Sequence, residues 1–251
     1  NKTYTLTGHT VPVPTSQEVT HLFTRAIETR SSLDQFTLTP DTVERLRIFQ
    51  PDGETLDALD AKLADIYAEL EGFTRIYERR DLMLAVDLTF HSQLAFSLQH
   101  ETLVRGWMEL LVIGDTRTGK STIVTRLSDY YQAGEATSGE NTSFAGLVGG
   151  LTQIGTTWAL RWGKVPLNNR RLLIIDEAGN LPHEQIARMS SLRSSGIAEV
   201  TKIHTERTDA RTRGIWIANP RGNRPLSTYS HGALAVKELI GAPEDVARFD
   251  L

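Results

Sequence analysis

Four apolar residues, Leu110-Leu111-Val112-Ile113, run without a break into Gly114-Asp115-Thr116-Arg117-Thr118-Gly119-Lys120-Ser121. A strand precedes this G-x-x-x-x-G-K-S pattern and a helical stretch over 121–131 follows it, the context that separates a phosphate loop from a chance glycine-rich turn. The glycines let backbone N–H groups turn inward around an anion. The helix that follows presents its positive N-terminus to the same place. Residues 114–122 are therefore expected to cradle phosphates, with Lys120 neutralising the β and γ oxygens and Ser121 giving a hydroxyl to Mg2+.

Downstream, Leu172-Leu173-Ile174-Ile175 ends in Asp176-Glu177. A continuous apolar run suits a strand covered on both faces, though buried strands with acidic ends are common. Beside a phosphate loop, Asp176 is placed to hold the magnesium shell and Glu177 to take a proton from attacking water. Gly214-Ile215-Trp216-Ile217-Ala218 is another such strand and ends in Asn219-Pro220. Asn219 can orient that water or sense the γ-phosphate; an Asn-Pro pair also simply turns the chain. Strands at 109–113, 172–175 and 214–218 alternate with helices at 121–131 and 183–192. That alternation predicts an α/β fold, a parallel sheet flanked by helices, with ligands at the carboxyl ends of its strands.

The first part of the chain reads differently. Residues 4–7 and 10–13 are rich in β-branched residues, interrupted by Gly8 and Pro12, and read as two short strands; residues 15–28 read as weakly helical. Thr39-Pro40-Asp41 starts a helix, with Thr39 as cap and Pro40 in the first position, and Pro51-Asp52-Gly53 is a turn. From Leu56, apolar residues at 59, 63, 66, 70 and 73 keep the three-four step of a helix with one buried stripe. A third helix is expected over about 80–99. The organisation expected is the end of an N-terminal β domain over 1–33, a helical linker over 34–80 and a core over 81–251.

Charge and cysteine content narrow the classes. With no cysteine, disulfides and cysteine-based zinc sites are excluded. That suits a reducing cytosol without deciding the compartment. The net charge of −4 is wrong for a protein that coats nucleic acid by charge alone, so any DNA contact is expected from a local patch. No apolar run approaches the length a membrane helix needs, and no signal peptide is expected, because residues 1–4 are polar without an apolar stretch.

Several segments, in order, resemble the ATPase core of the minichromosome maintenance (MCM) replicative helicases, which are AAA+ proteins. They are Arg105-Gly106-Trp107, the loop at 114–121, Thr137-Ser138-Gly139-Glu140-Asn141-Thr142-Ser143-Phe144-Ala145-Gly146-Leu147, and Trp158-Ala159-Leu160. Asp209-Ala210-Arg211-Thr212 leading into Ala218-Asn219-Pro220, and Arg248-Phe249-Asp250-Leu251, complete the set. The resemblance covers roughly 34–251 and is strongest from 105 onward. It implies ATP and Mg2+ as ligands, hydrolysis at the subunit interfaces of a homo-oligomeric, hexameric ring, and translocation on single-stranded DNA, with a primase or loader as partner and no membrane. It implies that Arg248 is an arginine finger serving the neighbouring subunit and that Ile76 and Tyr77 border the adenine. It also implies β-hairpin inserts, one with its tip at 153–157 and one over about 194–207. The place of work would be the nucleoid of a prokaryote or a eukaryotic nucleus.

The sequence also departs from the family's pattern. Thr116-Arg117 and Gly119 stand where many members have Pro-Gly and Ala, and Ala178-Gly179-Asn180 replaces the usual Phe-Asp-Lys. The first insert is short, with only Gly155 at its turn. Ser194-Ser195-Gly196-Ile197 lacks the hairpin lysine; Lys202 is a nearby cation able to contact DNA, argued from charge, and reads equally as a solvated surface lysine. The chain is expected to stop before the helical lid. A protein-remodelling ATPase of the magnesium-chelatase or MoxR-like clade is the alternative, and a catalytically inactive structural subunit a third reading.

Overall fold

The computed structural model describes residues 3–13, 19–29, 36–103, 106–154, 157–201 and 205–251. The chain divides into two units, residues 1–62 and 63–251.

In the first unit, β1 (Thr3–Pro12) pairs antiparallel with β2 (Val19–Thr29). The two short strands expected at the start are one strand, because Gly8 absorbs the irregularity instead of breaking the pairing. The register shifts between Thr7 and Gly8, where a Cβ on Gly8 would lie 2.1 Å from the Leu22 carbonyl oxygen. The weak helix expected over 15–28 is not formed: within the described residues 19–28 the chain is strand. Val19, Thr20, Phe23, Thr24 and Ile27 are β-branched or aromatic, and the partner strand offers a full ladder. Helix α1 (Pro40–Leu46) starts as its cap predicts, Thr39 Oγ1 accepting from Thr42 N at 3.2 Å. Helix α2 (Leu56–Thr74) follows, and its buried residues, Tyr67, Leu70, Glu71 and Thr74, belong to the second unit.

The second unit continues with α3 (Arg80–His91). The helix expected to reach residue 99 stops at Ser92. The Ser92 hydroxyl donates back to Thr89 O at 2.7 Å and accepts from Met108 N at 3.0 Å, while its own backbone turns extended. A hairpin of β3 (Phe96–Leu98) and β4 (Glu101–Leu103) takes up the rest. Then come β5 (Glu109–Ile113), α4 (Lys120–Tyr131), β6 (Gly134–Ser138) and the single turn α5 (Phe144–Leu147). An antiparallel pair follows, β7 (Gly149–Ile154) and β8 (Thr157–Trp162), then α6 (Lys164–Leu167) and β9 (Leu172–Asp176). The helix expected over 183–192 is two helices, α7 (His183–Arg188) and α8 (Ser190–Ser195), separated at Met189. A second antiparallel pair, β10 (Ile197–Thr201) and β11 (Thr205–Asp209), leads to β12 (Arg213–Ala218). Helices α9 (Ala233–Leu239) and α10 (Pro243–Val246) end the sequence of elements.

Four strands form one parallel sheet in the order β5-β12-β9-β6. Alternation along them fills two cores. Leu172, Ile174, Ile215 and Ile217 face one side with Leu70, Met83, Val86, Ile123 and Leu127 from α2, α3 and α4. Leu173, Ile175 and Trp216 face the other, with Leu147, Ile186, Met189 and Leu192. The apolar run 172–175 is thus buried on both faces, as a parallel strand requires. Val148, just before β7, and Ala198, on β10, join this second core, and the base of the first hairpin meets the second near its turn: a Cβ on Gly149 would lie 3.3 Å from Val200 Cγ2. No helix among the described residues is long and apolar enough to cross a membrane.

Candidate functional site

The loop after β5 is closed by backbone before any side chain contributes. Gly114 N donates to Ala218 O of the neighbouring strand at 3.3 Å. Gly119, at φ +82°, turns the chain into α4, a helix of 12 residues. Lys120, the first residue of that helix, folds back over the loop. Its Nζ donates to Gly114 O at 2.8 Å, Asp115 O at 2.7 Å and Asn219 Oδ1 at 3.1 Å. A Cβ on Gly114 would come within 2.9 Å of Lys120 Cδ, so any other residue there would push the lysine from this path. Burial lowers the lysine's pKa, opposed by the carboxylates of Asp115 and Asp176.

Parallel pairing brings the other residues in. Asp176 ends β9, and its Oδ1 accepts from Ser121 Oγ at 3.0 Å and from Glu177 N at 2.9 Å. Glu177 is exposed and left-handed, at φ +55°. Asn219 follows β12, between the other two strands. Residues 116–122, Asp176, Glu177 and Asn219 line a cleft of about 200 Å³. A cavity of about 530 Å³ shares Glu177 and Asn219 with it and extends to Asn180 and Arg221. Backbone N–H groups at a helix start, a lysine and a hydroxyl–carboxylate pair are the chemistry that holding a polyanion together with a cation requires.

Not all the expected residues meet here. The Asp115 side chain is turned away, its Oδ1 accepting from Leu226 N at 2.8 Å, so Asp115 contributes its carbonyl to the loop and its carboxylate to a tie. Ile76 packs against the core under α2, while Tyr77 is exposed and borders a separate pocket with Glu71, Glu78, Arg80 and Asp81. Arg248 lines neither cleft; its Nε donates to Ser190 Oγ at 2.8 Å. Lys202 and Gly155 lie outside the described residues. One partner escaped sequence reasoning: Ser138 Oγ donates to Glu177 Oε2 at 3.0 Å. The signal was faint, because only the β6–β9 register, with Ser138 opposite Asp176, puts that serine beside the acid.

A family model for the MCM P-loop domain matches residues 55–251. DNA replication licensing factor Mcm6 of Anopheles gambiae is 28% identical over 183 residues, which is 71% of this chain and 22% of the relative. The chain thus spans about a fifth of the length of the curated relative it matches.

Proposed function

The chain belongs to the MCM P-loop family, and from that membership and the site's geometry we propose that it is the ATP-hydrolysing motor part of a ring-shaped DNA helicase. The observation that carries this reading is convergence: Lys120 and Ser121 after β5, Asp176 at the end of β9 and Asn219 after β12 meet at one loop.

Ser121 Oγ and Asp176 Oδ1 are hard oxygen donors 3.0 Å apart, the chemistry magnesium takes, and are the residues that would hold it. Bound there, the ion supplies charge neutralisation to the β and γ oxygens. The amides of 116–121 grip the phosphate chain, and Lys120 exchanges its carbonyl partners for phosphate oxygens. Asn219, released from Lys120, orients a water. Glu177 takes the proton of that water as its oxygen bonds to the γ-phosphorus, the bond to the β–γ bridging oxygen breaks, and ADP leaves. Glu177 must first let go of Ser138. Arg248 reaches the nucleotide of the adjoining subunit, as the family resemblance implies. Backbone near Ile76 and Tyr77 borders the base.

In the remaining part of the cycle, hydrolysis moves the two hairpins along single-stranded DNA, with Lys202 as one contact, in the replicative role named for the mosquito relative. One observation favours a protein-remodelling motor instead. The described strands of the β10–β11 hairpin carry Glu199, Glu206 and Asp209 against Arg207, which is itself paired with Glu199. The experiment is ATPase activity and strand displacement on a forked duplex by the full-length protein, with ATP against a non-hydrolysable analogue. Displacement with ATP alone supports the helicase; ATPase indifferent to DNA at low salt favours the remodeller.

A further inference from the structure

Glu109, the first residue of β5, and Arg193, on α8, are both buried. Arg193 Nε donates to Glu109 Oε2 at 2.6 Å, and Nη2 lies 2.6 Å from the same oxygen. The guanidinium also lies over two rings, 4.5 Å from the centroid of Phe249 and 5.0 Å from that of Trp216. These rings meet edge to face at 5.5 Å.

Four separate parts of the machinery join at this point. Glu109 N donates to Asp250 Oδ2, and Asp250 N donates to Glu109 O, both at 2.9 Å. Leu111 N donates to Leu251 O at 3.0 Å, so the segment after Arg248 lies along the edge strand that feeds the phosphate loop. Arg248 is held by Ser190, at the start of the helix that carries Arg193. That helix passes through Gly196, at φ +66°, directly into the β10–β11 hairpin. Trp216 lies on β12, the strand that Asn219 follows.

The pair is held against a cost. Burial is the largest influence on the Glu109 carboxyl and lifts it to about 7 despite the attraction of Arg193. A buried ion pair is often no more stable than apolar residues of the same volume. What the guanidinium offers and an apolar side chain does not is direction, through the Nε hydrogen bond to Glu109 and its stacking plane.

We propose that Arg193, through Glu109 and Phe249, is a positioning residue that holds Arg248 and the root of the β10–β11 hairpin in fixed relation to the strand entering the phosphate loop. The inference rests on the reading that Arg248 serves the neighbouring subunit's nucleotide. A misplacement of about 1 Å at such a group costs on the order of 100-fold in rate, so loss of the clip lowers kcat and spares nucleotide binding.

The test uses the full-length protein. Arg193→Met combined with Glu109→Leu fills the site without leaving a lone buried charge. This double variant is expected to melt at or above the parent's temperature, to bind a fluorescent ATP analogue within about twofold of the parent, and to lose at least about tenfold in kcat. Mixing it with Glu177→Gln subunits is then expected to restore hydrolysis, at interfaces where an intact Arg248 faces an intact Glu177. A purely structural role would give no such recovery. Arg248→Ala mixed with Glu177→Gln is the control. Recovery in the control but not with the double variant, or full kcat in the double variant, overturns the clip alone. No recovery in the control overturns the action of Arg248 in trans and the clip with it. Arg193→Lys, which keeps the charge but loses the Nε donor and the stacking plane, goes through the same assays should the double variant not fold. A kcat loss of about threefold or more with unchanged binding supports the clip, and no loss overturns it.

Discussion

Ser138 donates a hydrogen bond to the Glu177 carboxylate at 3.0 Å, tying the tip of one sheet strand to the acid that follows its neighbour. A carboxylate held this way has one oxygen occupied and must turn before that oxygen can meet an attacking water. Ser138→Ala is expected to raise basal ATP hydrolysis about three- to tenfold, in line with the roughly 1 kcal/mol such a bond is worth. Steady-state phosphate release measures it. A fall in rate would mean that the serine assists Glu177 and does not restrain it.

Lys120→Ala removes the only side-chain cation among the described residues that reaches the carbonyls of the phosphate loop. Hydrolysis is expected to drop by at least about 100-fold, with nucleotide affinity falling as well. Asp176→Asn is expected to shift the magnesium needed for half-maximal rate upward by about tenfold. An unchanged magnesium titration would remove Asp176 from the metal shell.

Stability should carry a small pH signature from α3. His91 is raised above its ordinary 6.5, first by its hydrogen bond to Asp87, with burial and Arg213 opposing. A folded value above the unfolded one gives a contribution that is complete below about pH 6.5 and lost as pH rises through the folded value. The imidazole is 62% exposed, so screening keeps this to about 0.5 kcal/mol or less. Urea melts at about pH 5.5 and about pH 8.5 should show the parent losing slightly more than His91→Gln. Equal losses would remove the histidine from the account.

Leu127, on α4, is fully buried against Ile123, Ile174 and Ile215. Leu127→Ala is expected to cost about 2–5 kcal/mol, and Leu127→Met under about 1.5 kcal/mol, by equilibrium denaturation. Because this core backs the phosphate loop, nucleotide should protect the variant from unfolding less than it protects the parent.

Much of this was legible in the sequence because it is local. The strand, glycine loop and helix at 110–131 form one contiguous signal, and the apolar run 172–175 announces a strand buried on both faces. Thr39 and Pro40 mark a helix start by short-range chemistry alone. What escaped depends on distant partners. Residues 19–29 became a strand because β1 was there to pair with. Ser92 ended α3 early because Met108, far along the chain, took its hydroxyl. The tie of the Asp115 side chain to Leu226 and the pairing of Arg193 with Glu109 showed no pattern at all. A pair separated by 84 positions becomes visible only when the sheet and helix are assembled.

The contact between the two hairpins carries a mechanical consequence. Gly149, at φ +144°, opens β7, and a Cβ there would lie 3.3 Å from Val200 Cγ2, near the turn of the other hairpin, so a swing of the β10–β11 ribbon presses on the base of β7. The two should therefore travel as one lever. Spin labels at the exposed positions Thr152 and Glu199 are expected to keep a constant separation whatever nucleotide is bound, and a separation that changes with nucleotide would show two arms moving independently.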